Sequence, residues 1–479
     1  MTSSIHTRRD ALRTISATAL LIGAPACGLA AQTRPNFTPE MFGARGDGIT
    51  DDYAALQRMA AAVTAAGGGR VLFGARRRYL IDQVQIGGGP RRNAVSAIAY
   101  SRCRGLTIDL NGSTLSVKGD FHRAGDSRRG RGSHSSAVIP FLLNRCEDVI
   151  VENGEMNGNA DRMTRDPQVS EFGGHGMSIN GCRRVVLRGL HIHHFSNDGI
   201  RLGITGGDEQ LCADVRLEEV RLTNNARQGL TNAGAFGVVA IDSHFSENGR
   251  TGGPYRHPPS AGVDIEPIRR GTRQSDFRAR RCRFDNNYGG PVVAADPRLT
   301  SLIELIDCGG RTTSMKRMIL VAERTIIRGG SWHNVQIACA YAAHRQFNHP
   351  ISIDINGGTW SGDHPGWSPI YDLNPKHPEV RIHSNRFELR SPSPFTTAFL
   401  FQCANPNHHF ENNQIFVAQT GHSGSGDDMI GNFQNAGLVR GNRWSTDASG
   451  GRRFVNVYTG ATRVEGERFS GNFVGRGIG

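Results

Sequence analysis

No Cys-x-x-Cys pair occurs in the 479 residues, so a zinc site built on such pairs is not expected. No recognisable nucleic-acid-binding motif is present either, although the formal net charge is +13. Arginine supplies most of that charge and is scattered, with no basic tail. Such a surface serves solubility or attraction to an acidic polymer. Beyond the N-terminal stretch, no segment has the apolar length of a membrane span. Strong helix formers are scarce outside residues 53–66. What remains is rich in Gly, Asn, Arg, Val and Ile, a vocabulary of strands and tight turns. A compact chain of this length would divide into domains, whereas a solenoid escapes that limit because each repeat touches only its neighbours.

Residues 1–31 read as an export signal. The run Thr7-Arg8-Arg9-Asp10-Ala11-Leu12 resembles a twin-arginine motif, an apolar stretch follows from Ile15 to Ile22, and small residues around Leu29-Ala30-Ala31 offer a cleavage site. The expected location is periplasmic or secreted. Twin-arginine export carries proteins already folded in the cytoplasm, so the cysteines beyond the signal need not form disulfides.

A short pattern recurs along the rest of the chain: an apolar residue, several polar or small ones, then a large apolar residue. Copies run Val151 to Met156, Leu187 to Ile192, Leu217 to Leu222, Ala240 to Phe245, Ala279 to Phe284, Ile303 to Cys308, and Ile327 to Trp332. They continue as Ile355 to Trp360, Ile382 to Phe387, Phe410 to Ile415, Val439 to Trp444, and Val464 to Phe469, with Ile108 starting the series. Steps mostly in the twenties, with strand-like composition, mark a β-solenoid of about thirteen coils. Several coils add a Gly-led second strand. Alternation there turns Met177, Ile179, Ile200, Leu202, Val263 and Ile265 inward, and Ser178, Arg201, Thr231, Asp264 and Glu266 outward. Cys103, Cys146, Cys182 and Cys212 each precede a strand and are expected to stack as buried, inert thiols.

Residues 42–57 read Phe-Gly-Ala-Arg-Gly-Asp-Gly-Ile-Thr-Asp-Asp-Tyr-Ala-Ala-Leu-Gln, with Thr50 or Asp51 expected to cap a helix. Turn and cap chemistry accounts for Asp47, Asp51 and Asp52 without a metal. This segment resembles the opening of the pectate-lyase-like superfamily, which includes relatives of polygalacturonases and phage tailspikes. The resemblance extends through the repeats, and through Asn224 to Leu230 and Ala261 to Pro267. It implies an all-β, right-handed parallel β-helix closed by an N-terminal capping helix. The expected organisation is a signal at 1–31, a cap at 32–100 and the β-helix at 101–479. The implied activity is a class, carbohydrate cleavage.

The three longest steps contain residues 118–136, 157–173 and 247–260, expected to emerge along one edge and wall a groove. Its floor would carry His175, Asp198, Arg201, Arg227, Asp264 and Glu266, and its wall Tyr255 and His257. Asp264 and Glu266 lie two apart on one strand, with backbones about 6.8 Å apart, which suits the acid and base of an inverting glycosidase. Asn197-Asp198-Gly199-Ile200 resembles the polygalacturonase segment whose Asp belongs to the catalytic acids, which makes Asp198 a third catalytic group. The chain departs from that family where Arg227 and Gln228 replace an acid pair, and the family's Arg-Ile-Lys stretch has no counterpart. Arg201 and Arg227 would bind a substrate carboxylate, with Tyr255 and His257 beside them. No resident metal or cofactor is expected for a hydrolase.

The same residues admit a lyase, with His175 or Arg227 as base and Arg201, or a Ca²⁺ on Asp264 and Glu266, neutralising a uronate. A non-catalytic glycan-binding adhesin is the third reading. Trp332, Trp360 and Trp444 sit at repeat positions and should be core, whereas Trp367 is off-register and the exposed stacking candidate. Uronate epimerisation ranks low because the Asp-Pro-His-Asp stretch of β-helical epimerases is missing. The expected partner is a polysaccharide, not nucleic acid or a membrane, and both a monomer and a trimer fit.

Overall fold

The computed structural model describes residues 35–82, 95–118, 134–135, 138–162, 171–172, 174–205, 210–249, 258–267, 275–294, 299–339, 352–372, 379–390, 400–418, 426–449 and 451–477. The proposed signal, Tyr255, His257 and most of the three long insertions lie outside the described residues. Pro35–Gly479 is one compact unit.

The chain folds as a right-handed parallel β-helix. Most coils contribute to three parallel ladders. One complete coil illustrates the path. The first-face strand Cys212–Glu218 leads into the short second-face strand Arg221–Thr223, and the chain then turns into the third-face strand Leu230–Asn232. Each pairs in parallel with its counterpart in the next coil: Cys212 with Ala235, Arg221 with His244, and Leu230 with Val263. The right-handed path is the one that twisted parallel strands impose on their crossovers. The first-face ladder already includes Asn36–Phe37 and Gly69–Leu72. Among the described residues there is one α-helix, Tyr53–Ala65, which buries Leu56, Met59, Ala60 and Val63. Its N-cap residue is Asp52, not Thr50 or Asp51. The Asp52 carboxylate turns away from the helix and accepts from the Arg45 and Gly46 backbone N–H groups, while Asp51 accepts from the Tyr53 N–H.

The repeat is dictated by what stacks inside. Val151, Leu187, Leu217, Ala240 and Ala279 lie in register on the first face and are buried. One copy is shifted from the sequence reading. Ala279 pairs with Leu305, not Ile303, so that coil runs from Leu305 to Gly310. Gly310 occupies the position of the large apolar residue because space is missing there: a Cβ would lie 2.5 Å from the Phe284 carbonyl oxygen. The aromatic column carries on past it, with Phe284 and Trp332 centroids 6.0 Å apart and Trp332 and Trp360 5.7 Å apart. Trp367 is fully buried rather than exposed, and its indole N–H donates to the Val335 carbonyl. It fills the core from a turn, outside the periodic positions. The eight described cysteines are free and buried, and the Cys146 N–H points at the Cys182 sulfur, 3.2 Å away.

Two columns of buried asparagines tie coils together at the turns. Asn225 donates its side-chain amide to Asn248, and Asn248 to Asn287. Farther along, Asn385 donates to Asn413, Asn413 to Asn442, and Asn442 to the Glu467 carboxylate. Each side chain satisfies one coil's buried groups and hands a hydrogen bond to the next.

Candidate active site

The third face begins each coil close against its neighbour. A Cβ at Gly199, Gly229 or Gly262 would come within 2.8 Å of a neighbouring coil, which explains the Gly-led strands. The residues just before those glycines therefore stack tightly. Met177 pairs with Ile200 and Ile200 with Leu230, which sets His175, Asp198 and Gln228 in one column on successive coils. Asp264 lies on the next coil, on strand Ala261–Ile265, opposite Thr231.

These side chains meet. His175 Nδ1 is 3.2 Å from Asp198 Oδ2. Arg227 lies between two acids, with one terminal nitrogen 3.7 Å from Asp198 Oδ2 and the other 2.9 Å from Glu266 Oε2. Gln228 donates its amide N–H to Asp264 Oδ2 at 2.7 Å. Asp198 and Asp264 are buried, His175 and Arg227 nearly so, and Glu266 is exposed. Ser178 and Thr231, which point outward from the core, are buried as well. The outward row is a covered polar layer, with Glu266 at its wet edge.

The two buried carboxyls are displaced in opposite directions. Burial pushes Asp264 up to about 7, helped by the charges of Glu266 and Asp198 and opposed by Arg227 and the Gln228 hydrogen bond. Burial also pushes Asp198 upward, but contact with His175, the Arg227 charge and Thr231 outweigh it and hold Asp198 below its ordinary value. A carboxyl kept neutral near pH 7 beside a charged one is an acid–base arrangement.

The structure thus brings together His175, Asp198, Arg227, Asp264 and Glu266. It does not bring Arg201 to them: that guanidinium reaches Asn180 Oδ1 at 3.4 Å. Gln228, which in the sequence marks only the replacement of an acid, is in the structure the partner of Asp264. The signal was its place in the column of His175 and Asp198. The two acids to which the lyase reading assigns calcium, Asp264 and Glu266, are each engaged by a neighbouring side chain. Asp264 accepts from Gln228, and an arginine occupies Glu266. Among the described residues no group of three or more His, Cys, Asp or Glu could hold a metal.

The long insertions each leave the second face and return on the third. Parts of the first two pair with each other, as strands His134–Ser135 and Glu171–Phe172. The course of the rest lies outside the described residues.

Fold and site define a class: a parallel β-helix, the architecture of the pectate-lyase-like superfamily, with a buried carboxylate cluster on one face. No protein-family profile matches the chain. It is similar to "Depolymerase 1, capsule KN3-specific" of Klebsiella phage KN3-1, 26% identical over 276 residues, covering 56% of this chain and 30% of that protein. It is also similar to "Depolymerase 1, capsule K30/K69-specific" of Klebsiella phage K5-2, 32% identical over 125 residues, or 25% of this chain and 15% of that one. The chain thus spans less than a third of either relative's length. Among solved structures, the A-module of the Azotobacter vinelandii mannuronan C-5 epimerase AlgE6 aligns over 91% of this chain and 99% of its own, at 12% identity and a TM-score of 0.48.

Proposed function

We propose that the chain is an exported polysaccharide-degrading enzyme that hydrolyses glycosidic bonds. In this reading Asp264 is the general acid and Glu266 the general base. The observation that carries it is the Asp264 carboxyl, pushed up to about 7 beside the charge of Glu266. A protonated Asp264 can deliver its proton to the leaving glycosidic oxygen, and Glu266 at the solvent edge can take a proton from the attacking water. Asp198 positions His175 and Arg227 beneath them. Arg227 keeps Glu266 in place and offers its guanidinium to an acidic sugar. The capsule-specific depolymerase names of the phage relatives support a polymer substrate, and the twin-arginine-like start supports action outside the cytoplasm. Among the described residues no helix is long and apolar enough to cross a membrane.

One observation favours a second reading. An imidazole held by a buried carboxylate, as His175 is by Asp198, is also a base suited to abstracting a proton beside a uronate carboxylate. The test is to incubate the protein with acidic and neutral polysaccharides, following reducing ends and the ultraviolet absorbance of unsaturated uronate. Hydrolysis gives reducing ends alone. Absorbance rising with them makes the protein a lyase, and binding of a polymer without any cleavage makes it an adhesin.

A further inference from the structure

The third face carries a second polar group, farther toward the C-terminus than the carboxylates. Asp264 pairs with Val293 and Val293 with Ile319, so Arg317 stands two coils beyond Asp264, about 10 Å along the axis. Gln336 follows one coil later, and Tyr371 one coil after that. The buried Gln336 is fixed at both ends: its amide N–H donates to the Ser368 carbonyl at 2.9 Å, and its oxygen accepts from Arg317 Nε at 2.9 Å. The Arg317 guanidinium also lies 5.8 Å from the centre of the Tyr371 ring. At the corner where the strand begins, Lys316 Nζ sits 4.3 Å from the centre of the exposed Tyr288 ring.

Several outward arginines elsewhere are cancelled by acids: Arg104 by Glu147, Arg188 by Glu218, Arg281 by Asp242. Arg317 is held by a neutral amide oxygen instead. That contact uses only Nε, and among the described residues neither terminal nitrogen has a partner. The result is an exposed, oriented, uncancelled guanidinium edge beside the Tyr371 ring, with the Lys316–Tyr288 pair at the neighbouring corner. Such an edge is shaped for a carboxylate, and ring faces beside it are shaped for a sugar.

We propose that Tyr288, Lys316, Arg317, Gln336 and Tyr371 form a binding subsite for an acidic sugar residue of the polymer, which lies along the solenoid axis from this patch to Asp264. The proposal rests on the glycan-cleaving reading and specifies its substrate as anionic.

The experiment uses the full chain carrying Asp264→Asn, so that bound polymer is not consumed. Binding is measured to a panel of acidic bacterial capsular polysaccharides and to the carboxyl-reduced form of each. At least one acidic polymer should bind, and carboxyl reduction should weaken it about tenfold or more. Arg317→Ala should weaken the acidic form by about ten- to a hundredfold and leave the reduced form unchanged, and Arg317→Lys should restore little, since the planar fork is lost. Melting of the Arg317 variants equal to that of the Asp264→Asn chain checks that the fold persists. Equal binding with and without Arg317, equal losses on both forms, or no acidic polymer bound at all would each overturn the proposal. The two readings fail separately. Without Asp264→Asn, a polymer cleaved at unaltered KM by Arg317→Ala removes the subsite and keeps the enzyme. A polymer bound through Arg317 but never cleaved does the reverse.

Discussion

Replacing Asp264 by Asn should weaken catalysis and strengthen the fold, and the two effects should part company with pH. In the folded protein this carboxyl is raised from 3.8 to about 7. A group raised on folding binds its proton more tightly in the native state, so ionising it works against the fold. That cost is absent below about pH 4, grows as the pH rises toward 7, and is fully present above it. A displacement of this size corresponds to about 4 kcal/mol. Asparagine keeps the shape, can still accept from Gln228, and carries no charge. The variant should therefore melt with the parent at pH 4 and well above it at pH 8, read by circular dichroism. Activity should move the other way, falling about a hundredfold or more at pH 6 for want of the acid. A melting difference that does not change with pH would refute the burial argument, and full activity in the variant would remove Asp264 from the mechanism.

Further outcomes follow from other contacts. The pH profile of kcat/KM should fall on its alkaline side near pH 7 as Asp264 ionises, and Glu266→Gln should move that limb to lower pH, because the charge of Glu266 helps to raise Asp264. A limb that stays in place would separate it from this pair. Chelator treatment should leave activity unchanged, since an arginine already holds Glu266; loss on chelation and recovery with calcium would contradict that. Gly310→Ala places a Cβ 2.5 Å from the Phe284 carbonyl oxygen and should cost about 1–3 kcal/mol in denaturant unfolding. Trp367→Ala should cost about 3–5 kcal/mol, as for a core tryptophan, where a surface ring would cost almost nothing.

The coils could be read from the sequence because their period is long, regular and built on large apolar residues. The apolar pattern departs from the register where the period is kept by a glycine: Gly310 shows no side chain to count, and Ile303 to Cys308 mimics the repeat two residues early. Trp367 misled for the opposite reason. It is a large apolar residue at a turn, buried by an insertion of the chain that no periodicity describes. Alternation correctly set Asp264 and Glu266 apart from Val263 and Ile265, yet it could not tell outward from exposed. The link from Arg227 to both Asp198 and Glu266, and from Gln228 to Asp264, runs diagonally across coils. Such links depend on side-chain reach and rotamer, which repeat spacing does not encode.

The asparagine column that ends on Glu467 has a direction. An amide both receives and gives, so each asparagine can be followed by another, and nothing in the column says where to stop. A carboxylate only receives. Glu467 accepts from Asn442 and from the Trp444 indole and has no N–H to pass on when ionised. It ends this column of amides in the way a chain-ending monomer stops a growing polymer. One more asparagine could join the column upstream, but an asparagine placed after Glu467 would meet an oxygen where it needs a donor. The solenoid thus carries a chemical mark of polarity, written in a single side chain near its C-terminal end.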